Sequence, residues 1–251
     1  MQDNQEQKTN MLVWFFGRGA SIANGLDWVE PENWQSLDRD IRIQKIKETL
    51  RFEMQKIPAK IGPYSELLSI LEKDTLPHWR HLFITTNWDY LLQREILESK
   101  SKILPSWLVD SQVFHLNGSV EQGSQENRSP FLLETDPFQL RKNSLETNRA
   151  VNYMIWERLF VIVGVSFKCE MDKALLIYLR SIEDQLPFGE AHWVILDPEK
   201  ISLDNTCACF KKFFPAANII PVNIRFENWV RGSLSELIQF EVIRSQERVI
   251  A

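Results

Sequence analysis

Six consecutive apolar residues, Met11-Leu12-Val13-Trp14-Phe15-Phe16, run straight into Gly17-Arg18-Gly19-Ala20-Ser21. A strand without polar alternation is buried on both faces, which is the mark of a parallel sheet covered by helices. Glycines at the carboxyl end of such a strand let the backbone approach a phosphate, and the residues that follow can aim free N–H groups at an anion. The stretch therefore predicts a nucleotide-binding turn on the first strand of an α/β sheet. It is only half of the usual dinucleotide fingerprint. Ile22 stands where the third glycine belongs, and no second strand ending in an acidic residue follows about 20 positions on. A purely structural turn is the competing reading.

The rest of the chain alternates in the same way. Residues 27–40 read as irregular, and the spacing of Ile41, Ile43, Ile46, Leu50, Met54 and Ile57 predicts a helix. A shorter helix is predicted around Tyr64–Lys73. The span from about 27 to 78 is longer than an ordinary connection in such a sheet and reads as a helical insertion placed to lid the site. Further strands are predicted at His81–Thr86, Val113–Leu116, Leu159–Val163, His192–Leu196 and Asn218–Ile224. Residues 120–130 read as a mobile loop and 131–157 as a partly helical excursion. Asp172 is placed to cap a helix from Lys173 to Gln185, with Pro187 and Gly189 beyond its end. A short helix is predicted near Cys207–Phe213, and Ser233-Leu234-Ser235-Glu236 fits a capping box for the C-terminal helix. Together these predict a doubly wound, mainly parallel Rossmann-like sheet, with residues 1–10 a flexible leader and 11–251 one domain.

Bulk properties exclude several functions. A net charge of -5 over 251 residues does not favour direct nucleic-acid binding. Three cysteines, Cys169, Cys207 and Cys209, are too few for a disulfide framework, lack zinc-ribbon spacing, and read as inert thiols. The polar start MQDNQEQKTN has no signal core, and no apolar run approaches the roughly 18 residues a membrane span needs. The expected location is cytoplasmic.

Ligands of such sheets bind beyond the carboxyl ends of the strands. Those ends carry Gly17-Arg18-Gly19-Ala20-Ser21, Thr85-Thr86-Asn87-Trp88-Asp89, Leu116-Asn117-Gly118-Ser119, Val163-Gly164-Val165-Ser166-Phe167 and Asp197. The first four of these motifs, in that order and over roughly residues 11–225, resemble the SIR2-like (sirtuin-related) domains of bacteria, in particular those acting as NAD-consuming effectors in anti-phage defence.

That resemblance implies a role for each position. Gly17, Gly19, Ala20 and Ser21 would cradle the pyrophosphate of NAD, with Thr86 and Gly118 also contacting the nucleotide. Asn87 and Asp89 would position the nicotinamide ribose and the attacking water. Gly164 and Ser166 would line the adenosine side, and Asp197 would stand at the adenine end. No metal is implied, because the four-cysteine zinc module of sirtuin deacetylases is missing; protein deacetylation is disfavoured and simple NAD cleavage favoured. The family's usual His-Gly is here Asn117-Gly118. His115, two residues earlier, would share a strand face with Asn117 and offers a substitute base.

Each role has a plainer alternative. Arg18 meets a phosphate or forms an ion pair that shuts the pocket. Asn87 caps a helix, and Asp89 is a first-turn charge. His115 is a satisfied strand histidine, and His78, His81 and His192 read as structural or surface residues. The nine tryptophans are scattered as core and interface anchors, with Trp88 inside the proposed site as the exception.

The resemblance implies an NAD glycohydrolase that releases nicotinamide and ADP-ribose or a cyclic form, gated by oligomerisation or by a separate sensor or regulator protein. The alternative is a weakened NAD- or ADP-ribose-binding subunit that senses nucleotide and regulates a partner.

Overall fold

The computed structural model describes residues 11–74, 80–99, 113–120, 130–136, 140, 145–154, 159–167, 170–181, 191–232 and 234. The leader at 1–10, the loop at 121–129, His78, Cys169, the helix end near Gln185 and all of the 233–236 capping box but Leu234 lie outside the described residues.

The strands are β1 (Met11–Phe16), β2 (Arg80–Thr85), β3 (Phe114–His115), β4 (Leu159–Val163), β5 (His192–Leu196) and β6 (Asn218–Val222). They form one sheet in the order β3-β2-β1-β4-β5-β6, every pair parallel. This is a Rossmann-like sheet, as the apolar strands predict. Its strand order reverses between β1 and β4, the switch point at which such sheets bind ligands.

The described helices are α1 (Arg18–Ala23), α2 (Arg39–Gln55), α3 (Pro63–Asp74), α4 (Leu91–Ser99), α5 (Leu145–Met154), α6 (Glu170–Ser181), α7 (Lys200–Phe213) and α8 (Phe226–Gly232). They are divided between the two faces. Leu12, Trp14 and Phe16 of β1 pack with α2, α3, α4 and α8, whereas Val13 and Phe15 pack with α5, α6 and α7. The two-residue period of the strand sends alternate side chains into two separate cores, so every residue of β1 must be apolar.

Several predicted boundaries shift. β3 is only two residues long, and β6 ends at Val222. Asp172 lies inside the first turn of α6, which already starts at Glu170, so it does not cap that helix. The helix predicted near Cys207 starts at Lys200 and runs 14 residues. α8 opens at Phe226, ahead of the capping box.

Residues 27–78 divide into two unlike parts. α3 lies against the sheet: the Tyr64 ring meets Phe16 edge-on with centroids 5.3 Å apart, and Leu67 and Leu71 are fully buried. It serves as the β1-to-β2 crossover, with Pro63 pre-set for a first helical turn. α2 is the extra element, opened by Asp38, whose side chain accepts from the Asp40 N–H at 3.0 Å. Among the described residues no helix is long and apolar enough to cross a membrane.

Candidate functional site

A cleft of about 230 Å³ opens over the carboxyl ends of β1, β2 and β3. Arg18 and Ser21 reach it from α1, Thr86 to Asp89 from the end of β2, and Asn117 from the end of β3. Leu26 follows α1, the insertion supplies Trp28, Val29, Glu30 and Leu50, and α6 supplies Asp172.

The floor is a hydrogen-bonded cluster centred on Ser21. The Asn87 Nδ2 group donates to the Gly17 carbonyl at 2.9 Å and to Ser21 Oγ at 2.7 Å. Ser21 Oγ in turn donates to Asp89 Oδ2 at 2.7 Å, and Asp89 Oδ1 accepts from the Leu91 N–H at 3.1 Å, opening α4. With both Nδ2 hydrogens engaged, Asn87 has only its carbonyl oxygen to offer the cleft, so it acts there as an acceptor. Asn87 therefore ties the β1 turn to the end of β2, more than a helix cap does.

Asp89 is buried, and burial holds its pKa above the usual carboxylate range despite the bonds from Ser21 and Leu91. Tyr64 of α3 is buried against the same cluster. Burial first, and Asp89 second, push its hydroxyl well above the usual phenol value, so it stays protonated. The Tyr64 N–H donates to Asn24 Oδ1 at 2.9 Å, while Asn24 Nδ2 donates to the Ala20 carbonyl at 2.8 Å. α3 is thereby fastened directly to the turn after β1.

Asn117 is 2% exposed; its Nδ2 donates to the Thr86 carbonyl at 2.7 Å, and its Oδ1 has no partner among the described residues. A buried acceptor left unmatched costs free energy, which a ligand hydroxyl or amide N–H would recover. His115 does not line the cleft. Its ring is buried with Nε2 3.2 Å from Gln93 Oε1 and Nδ1 3.5 Å from the Asn87 carbonyl. β3 ends at His115, so the strand-face relation that would align it with Asn117 no longer applies.

The glycine turn is used in an unexpected way. The N–H groups of Gly17, Gly19 and Ala20 donate to the carbonyls of Val163, Gly164 and Gly17 at 2.9, 3.0 and 3.0 Å. A Cβ on Gly17 would fall 2.5 Å from the Gly164 carbonyl oxygen, and one on Gly19 2.8 Å from Gly164 Cα. Gly164 itself has φ +66°, and a Cβ there would lie 2.4 Å from the Ala20 nitrogen. The three glycines allow two backbone segments to touch each other. Gly118, at φ +78°, plays the same part against Phe131, whose Cα lies 2.7 Å from where a Cβ would stand.

The remaining positions are not brought to the cleft. The Ser166 carbonyl accepts from Thr206 Oγ1 at 3.1 Å, and Asp197 Oδ1 accepts from the Glu199 N–H at 2.8 Å. Arg18 lines the cleft mouth and pairs with Asp27 at 3.6 Å, both side chains more than half exposed, which makes the pair weak.

The wall above the floor is held by ion pairs that spacing alone does not reveal. Buried Arg42 of α2 donates to both oxygens of Glu30 at 2.6 and 2.7 Å and to Glu134 at 2.7 Å. Arg39 holds Asp136 at 2.7 Å through two nitrogens. Trp88 Nε1 donates to the Leu132 carbonyl at 3.0 Å, and its ring stacks on Phe131 at 5.1 Å. Trp28, Glu30, Leu50 and Asp172 were not singled out for the site by their sequence context. Asp172 had one usable signal, its place at the start of the helix that follows β4.

No protein-family model matches the chain. No curated protein matches it either. A solved structure described as "Sir2 bound to acetylated peptide" is similar at 19% identity over 91% of this chain and 94% of that chain, with a TM-score of 0.48.

Proposed function

We propose that the chain is an NAD glycohydrolase of SIR2-like type, with NAD as substrate and no metal. The observation that carries the reading is the Asn87–Ser21–Asp89 cluster with Asn117 beside it, acceptor groups gathered at the ends of three parallel strands. The four ordered motifs at the strand ends support it.

The chemistry suits such a site. Nicotinamide leaves NAD as a neutral molecule from a cationic ring, so no general acid is needed. The glycosidic C–N bond breaks with its electron pair going to the ring nitrogen, and the ribose develops positive charge. Water then adds its oxygen to that carbon and gives up a proton. The Asn87 and Asn117 carbonyl oxygens and the Asp89 carboxylate provide fixed negative partial charge for the cationic ribose, with no reorganisation at the moment of reaction. Asp172, the carboxylate on the α6 side of the cleft, is the candidate to accept the water's proton. A general base contributes about 100- to 10,000-fold, so slow hydrolysis survives without one.

The test is nicotinamide release from NAD by the purified full chain, in each oligomeric state and with candidate regulators. Release that Asn87→Ala lowers about 100-fold supports the reading. No release in any state, with Asn87→Ala indistinguishable, overturns it. The biological role we attach is NAD depletion in anti-phage defence, held in check by oligomerisation or a separate regulator.

A second reading is a nucleotide-sensing subunit that does not turn NAD over. It is favoured by the packing of His115 against Gln93 and by Asn117, an amide that accepts hydrogen bonds but not protons. Tight NAD or ADP-ribose binding without turnover would distinguish it.

A further inference from the structure

Resting on the NAD reading, we infer that this site recognises the nicotinamide riboside half of its substrate and takes little from the pyrophosphate, so that phosphate-truncated nicotinamide ribosides are substrates too. The argument is a census of hydrogen-bond donors. A pyrophosphate needs donors or cations; a ribose diol and a carboxamide also need acceptors.

Among the described residues, the donors around the Gly17 turn and the end of β2 named next are engaged within the protein. The N–H groups of Gly17, Gly19 and Ala20 go to backbone carbonyls, that of Thr86 goes to the Phe16 carbonyl at 3.0 Å, and that of Asn87 goes to Thr85 Oγ1 at 3.0 Å. Both Nδ2 hydrogens of Asn87 and the Ser21 hydroxyl are taken, as is the Trp88 ring N–H. Among the described residues the floor leaves acceptors unmatched, Asn117 Oδ1 buried without a partner and the Asn87 carbonyl oxygen, while the donors left at the cleft are those of the Arg18 guanidinium.

The glycines give the same answer by a second route. In a phosphate-binding turn a missing side chain makes room for the ligand. Here Gly164 fills that room, at 2.5 and 2.8 Å from where the Cβ atoms of Gly17 and Gly19 would stand. Among the described residues Arg18 is the only cation lining the cleft, and it stands at the mouth. The cleft encloses about 230 Å³, below the roughly 300–1,000 Å³ of ordinary ligand pockets.

The same bond is cut in every case. The C–N electron pair goes to the nicotinamide nitrogen, water supplies the oxygen on the ribose carbon, and one proton passes to solvent, whether or not a phosphate follows.

The experiment compares NAD, nicotinamide mononucleotide and nicotinamide riboside with the full chain, and measures binding of each and of ADP-ribose by calorimetry. We expect kcat/KM for mononucleotide and riboside within about 30-fold of NAD, roughly 2 kcal/mol. Arg18→Ala should narrow the gap between mononucleotide and riboside. NAD cleaved with both truncated substrates more than about 1,000-fold slower overturns this inference and leaves the glycohydrolase reading intact. If nothing is cleaved, the glycohydrolase reading fails and binding decides the inference: riboside binding within about tenfold of NAD upholds it. Tight ADP-ribose binding with no riboside binding overturns it, as does binding of none of the four.

Discussion

The two halves of the sheet meet at the same switch point but finish their strands differently. On the β1–β2–β3 side the strand ends close with side chains: Asn87, Ser21 and Asp89 bond in a row, Asn117 donates to the Thr86 carbonyl, and Asn117 Oδ1 is left unmatched beside the cleft. On the β4–β5–β6 side they close on the chain itself: Gly164 nests into the β1 turn, the Asp197 carboxylate accepts from the Glu199 N–H two residues on, and Thr206 Oγ1 donates to the Ser166 carbonyl. Polar residues at a strand end are therefore no guide by themselves to where ligand is read. What separates the halves is whether those groups are exhausted within the fold or leave a valence over.

The comparison breaks most directly at Gly164. An alanine there must hold a left-handed conformation and drive a methyl into the Ala20 backbone, which we expect to cost about 3 kcal/mol or more. Urea denaturation of Gly164→Ala measures this, and near-wild-type stability would mean that the two halves are not locked at that contact. Next comes Asn87→Ala, which removes one preorganised acceptor. It should lower kcat for nicotinamide release about 100-fold while the cooperative unfolding transition persists. A loss of that transition would make Asn87 a structural residue only.

His81 tests the β1–β2–β3 side through pH. It is buried, accepts from Trp14 Nε1 at 3.1 Å, and has its pKa pushed down to about 3, by burial first and by Arg80 second. Because the folded value lies below the unfolded one, the neutral ring's full stability is present above about pH 6.5. It is lost as pH falls, by up to about 1.4 kcal/mol per unit until about pH 3. His81→Gln keeps an acceptor for Trp14 and should flatten this slope between pH 6.5 and 5 in paired urea titrations. An unchanged slope would place the acid sensitivity elsewhere.

The smallest effect is expected at Asp197, the end of β5. Asp197→Ala should cost about 1 kcal/mol or less and lower NAD cleavage by less than about tenfold. A loss matching that of Asn87→Ala would show that the β4–β5–β6 side also reads the ligand and would erase the contrast.

The strands were legible because a both-faces-buried strand has to be apolar throughout, and β1, β4 and β5 are. α2 and α3 were legible from the period of their apolar residues. α7 and α8 were read short or missed, since Lys200 to Thr206 and Phe226 to Gly232 mix polar and apolar residues without a clean period. Within the site, Asn87, Asp89 and Asn117 could be listed from strand ends. Glu30 and Leu50 could not, because each arrives by packing from a distant element, and Asp172 had only its place at the start of the helix after β4.

The sequence by itself determined a Rossmann-like sheet with polar, glycine-bearing strand ends on one edge, since hydrophobic period and glycine placement are local properties. Only the tertiary structure decided what those ends do. Whether a glycine makes room for a phosphate or for another glycine, and whether an amide faces a ligand as donor or acceptor, depends on which backbone carbonyl lies about 3 Å away. That neighbour, Gly164 for the turn and Gly17 for Asn87, comes from a separate strand or turn and is set by the fold as a whole.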